Sequence, residues 1–200
     1  MTPDQIDFAL AGLRTIIGVV MLAHGYNHIF RGGKIAGTAG WFSSLGMRPG
    51  ILHAWLASLT ELGVGVLLIL GLLTPLAAAG VVGVLVVAWV TNHIGNGFFT
   101  FRPGEGWEYV GFLSLAAVFL GTIGGGEISL DHELEIADWF SGFTGLFVSL
   151  IGVVAALGLL AVFWRPEEVR APLGIATVFL FFGVLMLSLA IAAVSVLEDY

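Results

Sequence analysis

His24, Asn27 and His28 close an apolar run, LRTIIGVVMLAHGYNHIF, that also contains Arg14. Imidazoles titrate near neutral pH, so a pair of them beside a carboxylate can hold or pass a proton, or grip a polar head group. His24 and His28 are four residues apart, which puts them about 40° apart around a helix, with Arg14 within roughly 80° of both. Three other apolar runs carry groups of the same kind. Glu61 lies in the middle of the second, Asn92 and His93 end the third, and Glu108 and Tyr109 begin the fourth. At a rise of about 1.5 Å per residue, His24, Asn27, His28, Asn92, His93, Glu108 and Tyr109 fall at one depth and are candidates to line one pocket.

A charge at the centre of a bilayer helix costs from about 2.5 to more than 10 kcal/mol, so Arg14 and Glu61 need partners. Their opposite charges and similar depth on consecutive antiparallel helices predict an Arg14–Glu61 pair, which would fix helix register, serve function, or both. The histidine cluster admits three chemistries. A His-x-x-x-His spacing can hold one metal, but no carboxylate sits beside it, and neither a metal site nor a haem is expected. A quinone or proton site has what it needs in imidazoles, a carboxylate, a tyrosine and aromatic walls. The third alternative is interfacial side chains that bond backbone and head groups at helix ends. His53 and His132 are expected in loops, solvated.

The elements that must position these groups follow from composition. The 200 residues are 58% hydrophobic and 10% charged, against about 25% charged in a soluble domain. With a mean hydropathy of +1.02, this is an all-α polytopic membrane protein. No cysteine is present, which excludes disulfides, thiol redox chemistry and iron–sulfur clusters. The N-terminal MTPDQID lacks the basic region of a cleavable signal, so the first run is expected to stay as a span. Six runs approach the roughly 20 residues that a spanning helix needs, at 8–30, 52–73, 76–96, 108–125, 143–164 and 172–196. The second and third are split by LLTPLA and form a tight hairpin; WRPEEVRAP separates the last two.

Charge placement agrees with six spans. Arg31, Lys34, Arg48, Arg102, Arg165 and Arg170 share one side, while the other holds both termini, a 126–142 loop and nine acids, with no Lys or Arg. By the positive-inside rule the basic loops are cytoplasmic and both termini extracytoplasmic. The loop FRGGKIAGTAGWFSSLGMRPG is expected to lie along the interface or re-enter a short way, since Trp and Phe favour the head-group level. In the acidic 126–142 loop, HELEIADWF is either a short amphipathic surface helix or a solvated segment. Gly63 with Gly65, Ala79 with Gly83 and Gly121 with Gly125 are candidates for close helix approach. Nothing resembles a nucleic-acid motif.

The succession LRTIIGVVMLAHGYNHIF, GWFSSLG, LTELGVGVLLILGLLTPLAA, NHIGNGFF, WEYVGFLSLAA and GGGEISLD resembles the DoxX family of small prokaryotic membrane proteins, over about residues 10–132. The resemblance implies a four-helix core, here 1–132, that carries Arg14, His24 with Gly25, Glu61, His93, Glu108 with Tyr109, and Ser129 to Asp131. His28 stands where family members often have a Lys, and 143–200 adds two helices. It also implies redox work at the cell membrane: an archaeal relative is a subunit of a thiosulfate:quinone oxidoreductase, and a mycobacterial one belongs to an oxidant-defence complex. The expected function is thus a membrane subunit of a redox complex, with quinone as the cofactor class to test. Its partners would be the lipid bilayer and other membrane or extracytoplasmic subunits. The alternatives are a non-catalytic assembly subunit and, third, a small-molecule transporter built around Arg14 and Glu61.

Overall fold

The computed structural model describes residues 2–166 together with 178, 180–184 and 188. Residues 1–165 form one compact unit. In the second unit, 166–200, the described positions 178, 180–184 and 188 are helical. The expected sixth span, 172–196, falls largely outside the described residues, as do Arg170, Glu198 and Asp199.

Uninterrupted apolar runs give the long helices α1 (Pro3–Phe30), α3 (Gly50–Leu70), α4 (Thr74–Ala88) and α8 (Gly142–Phe163). A π-helical turn, Trp89–His93, and a 3₁₀ turn, Ile94–Asn96, extend α4. With that extension all four are long and apolar enough to cross a membrane. The helix α5 (Glu108–Ile123) is apolar but has 16 residues, about 24 Å against a hydrocarbon core of about 30 Å. The first five expected spans thus appear as helices, four of them at full spanning length.

The connections have structure of their own. The Gly-rich segment after α1 forms the helix α2 (Lys34–Ser44), which packs on α1 and α3 and buries Phe42. The acidic loop is no single amphipathic helix. It makes two short turns, α6 (Leu130–Glu133) and α7 (Ala137–Phe140), broken where Glu135 takes a positive φ of 56°.

Helix α4 sits centrally, against α3, α5 and α8, while α1 lies along α3. Small residues set these contacts because lipid offers no hydrophobic drive between helices, and close backbone approach supplies dispersion instead. A Cβ placed on Gly65 would lie 2.8 Å from the Gly18 carbonyl oxygen, and one on Gly18 2.7 Å from that of Gly65. Gly83 and Ala79 meet Gly152 on α8 in the same way, and Gly121 meets Gly145 and Ser149. Of the other expected positions, Gly63 faces open space, and Gly125 abuts Ser129 and Thr74 beside the α3–α4 turn. Large apolar side chains point outward, among them Phe8, Phe112 and Val154, each more than 70% exposed. Such a surface suits lipid, not water.

Each end of the bundle has its own lock. At the acidic end α3 stops at Gly71, whose φ of 65° favours glycine and where a Cβ would run into Arg14 and Ser129. The Asp131 carboxylate then accepts from Leu73 N at 2.6 Å and Thr74 N at 2.9 Å, capping α4, while Asp131 N donates to Gly71 O at 2.9 Å. Asp7 Oδ1 accepts from Glu127 N, tying the start of α1 to the same end. At the other end residues 45–48 pair with the end of α8: Arg48 N donates to Phe163 O, Arg165 N to Gly46 O and Trp164 Nε1 to Leu45 O. Arg48 and Arg165 both belong to these paired segments.

These contacts set two stability expectations, to be read as thermal unfolding in detergent. Asp131→Ala removes the α4 cap and an acidic neighbour of Arg14, and is expected to cost about 2 kcal/mol or more. Gly65→Val forces α1 away from α3 and is expected to cost about 1–3 kcal/mol, whereas Gly63→Ala is expected to change little.

Candidate functional site

A cavity of about 600 Å³ lies in the half of the bundle nearer the basic end, walled by α1, α2, α3, α4, α5 and α8. Six of the nine residues singled out from the sequence line it: His24, His28, Glu61, Asn92, His93 and Tyr109. Arg14, Glu108 and the exposed Asn27 do not.

The α1–α3 pair explains the first exclusion. Gly18 opposes Gly65 and Gly25 opposes Ser58, so Arg14 is level with residue 69 and Glu61 with residue 22. Eight positions, about 12 Å of axial rise, separate the two charges. Helical side chains also lean toward their own N-terminus. On antiparallel helices that tilts Arg14 and Glu61 away from each other and His28 and Glu61 toward each other. His28 Nδ1 accordingly lies 2.9 Å from Glu61 Oε2, with Glu61 almost completely buried. The expected Arg14–Glu61 pair does not form. Arg14, 2% exposed, instead donates to Leu68 O and Ile128 O and sits in the field of Asp131, inside the acidic-end lock.

The π turn brings the second group in. The extra residue in Trp89–His93 shifts Thr91, Asn92 and His93 onto the cavity wall; such turns often mark functional positions. His93 Nδ1 pairs with Glu105 O at 2.8 Å, and Asn92 Nδ2 lies 3.3 Å from His93 Nε2. Asn96 fastens the 97–107 loop through Gly104 O and Glu105 O. Glu108, placed in the pocket by depth alone, turns outward to accept from Thr100 N and Oγ1. Tyr109 is 40% exposed and His24 is also exposed, so both stand at the rim.

His53 was missed. It is not solvated in a loop but 2% exposed in the first turns of α3, on the cavity wall, with Phe163 and Phe42 rings 5.1 and 6.4 Å from its own. One signal was available: His53 and Glu61 are eight residues apart, about 80° around one helix, so they share a face. Trp41 and Phe42 of α2 also reach the cavity, their rings each 6.4 Å from that of His28. Nothing in GWFSSLG announces that contact. His132 is exposed, as expected.

The arrangement is a mostly apolar chamber with a buried imidazole–carboxylate contact on one wall and an imidazole–amide pair on another. It suits an apolar molecule with a small polar head. Residues 9–94 match the family model described as DoxX, and the matched segment stops at the π turn, short of GGGEISLD. No curated protein and no solved structure matches the chain.

Breaking the buried contact from one side should be costly. His28→Leu leaves the Glu61 carboxylate enclosed without its partner and is expected to lower stability by roughly 3 kcal/mol. His28→Lys places an ammonium beside Glu61 and should recover most of that loss in the same melting measurement.

Proposed function

We propose that this chain, a membrane protein carrying a DoxX domain over residues 9–94, holds a lipid-soluble quinone in its cavity as the membrane subunit of a redox complex. The observation that carries this reading is the His28–Glu61 contact, 2.9 Å long, on the wall of an apolar chamber of about 600 Å³. An ionisable pair inside a membrane bundle is costly and is characteristically tied to ions, protons or ligands. A quinone ring needs apolar and aromatic walls with few polar groups, and the chamber offers Trp41 and Phe42 together with His28, Glu61 and Asn92. The chain has no cysteine, so electrons would pass to or from a partner subunit. The setting is a prokaryotic cell membrane, with basic loops cytoplasmic and both termini extracytoplasmic.

Protein purified in mild detergent is expected to retain quinone detectable by mass spectrometry of its lipid extract. Glu61→Leu should lose most of it while remaining folded by melting. A wild-type protein with no quinone, that also fails to bind an added one, would sink the proposal. Orientation is checked with single cysteines in the cysteine-free chain. One in place of Glu133 should react with an impermeant maleimide on intact cells, and one in place of Lys34 should not.

A second reading, a non-catalytic assembly subunit, is favoured by Leu134 and Trp139, 57% and 72% exposed on the acidic-end turns. It predicts that Trp139→Ser releases the protein from its complex, while Glu61→Gln leaves complex activity intact.

A further inference from the structure

The cavity's polar groups are not evenly divided between donors and acceptors. Glu61 is the strongest of them, a carboxyl group whose Oε2 lies 2.9 Å from His28 Nδ1 and has no hydrogen-bond partner among the described residues. A charged acceptor makes roughly twice as strong a hydrogen bond as a neutral one, so an oxygen that can donate is favoured next to it. A carbonyl oxygen there would meet acceptor with acceptor.

The second wall repeats the pattern through its tautomers. His93 donates from Nδ1 to Glu105 O, which leaves Nε2 as the acceptor facing the Asn92 amide nitrogen. That orients Asn92, whose Oδ1 has no hydrogen-bond partner among the described residues and stands on the cavity wall. Thr91 spends its hydroxyl proton on Val87 O, so only its lone pairs remain. His53 follows suit: its ring bonds the Arg48 backbone, and Nε2 is enclosed without a partner. The donors that remain are one amide N–H of Asn92, the Thr60 hydroxyl, the Trp41 indole N–H, the far ring nitrogen of His28 when its ring is protonated, and His24 and Tyr109 at the exposed rim.

We infer that the site selects the reduced, dihydroxy form of its ligand: Glu61 and Asn92 Oδ1 accept from the hydroxyl groups of a hydroquinone, and the dione binds more weakly. This rests on the quinone reading above and adds to it the redox form and the two residues that discriminate. Their effect on each form is that of a specificity element, independent of whether turnover occurs.

The test uses the full chain in lipid nanodiscs under anaerobic conditions, with decylubiquinone and chemically reduced decylubiquinol as probes and Trp41 quenching or equilibrium dialysis as readout. Decylubiquinol is expected to bind about tenfold tighter, the size of one well-made hydrogen bond. Glu61→Gln and Asn92→Leu should each shrink that ratio, by weakening decylubiquinol more than they weaken decylubiquinone. Glu61→Asp keeps the acceptor and should keep the ratio, which separates recognition from loss of fold. Equal affinities, or a ratio indifferent to both Glu61→Gln and Asn92→Leu, would overturn the inference while leaving the quinone site standing. Tighter binding of the dione would also overturn it and make His28 the anchoring donor. If neither form binds, the quinone reading fails as well.

Discussion

An ionisable side chain in a water-poor bundle must find a partner within its own reach, and in this protein the α1–α3 pair decides who that partner is. The backbones come together at Gly18 and Gly65, where neither residue has a Cβ to hold them apart. Once that register is set, the lean of helical side chains toward their N-termini sends His28 and Glu61 together and Arg14 the other way. One crossing therefore yields two different polar centres, a cavity contact toward the basic end and a structural lock at the acidic end.

The acidic-end lock is built so that each polar group satisfies more than one need. Asp131 caps α4, bonds the Gly71 carbonyl through its own backbone and lies in the field of Arg14. The α3–α4 hairpin, the loop after α5 and the start of α1 are thereby joined at one end, and the other end is free to differ. There α1 and α5 touch little, α2 spans the opening with Trp41 and Phe42, and the pairing of residues 45–48 with the end of α8 holds α2 in place. The cavity is the space that this asymmetry leaves. The helix α8 belongs to it: Gly152 packs on Ala79 and Gly83, and Ala156 lines the chamber.

Much of this was legible beforehand. Apolar runs marked five helices, four of them of spanning length, because in lipid every backbone group must be satisfied within its own helix and local composition is then enough. The separation of Lys and Arg from Asp and Glu marked the two ends for the same kind of reason: charge is excluded from the hydrocarbon whatever the packing. His24, His28, Asn92, His93 and Tyr109 could be assigned to one depth, since rise per residue converts sequence distance into height. His53 was open to the same arithmetic on the Glu61 face.

What sequence alone determined, then, is the long helices α1, α3, α4, α5 and α8, and the approximate height of the polar groups along them. Which groups meet was decided only by tertiary structure. Arg14 and Glu61 are complementary in charge and still apart, because pairing depends on register and tilt between two helices, and neither is written in either helix by itself. Glu108 has the right height and the wrong azimuth, and Trp41 and Phe42 reach His28 only because an unannounced helix folds back over the bundle. Height is a local property of the chain; azimuth and partner belong to the packed whole.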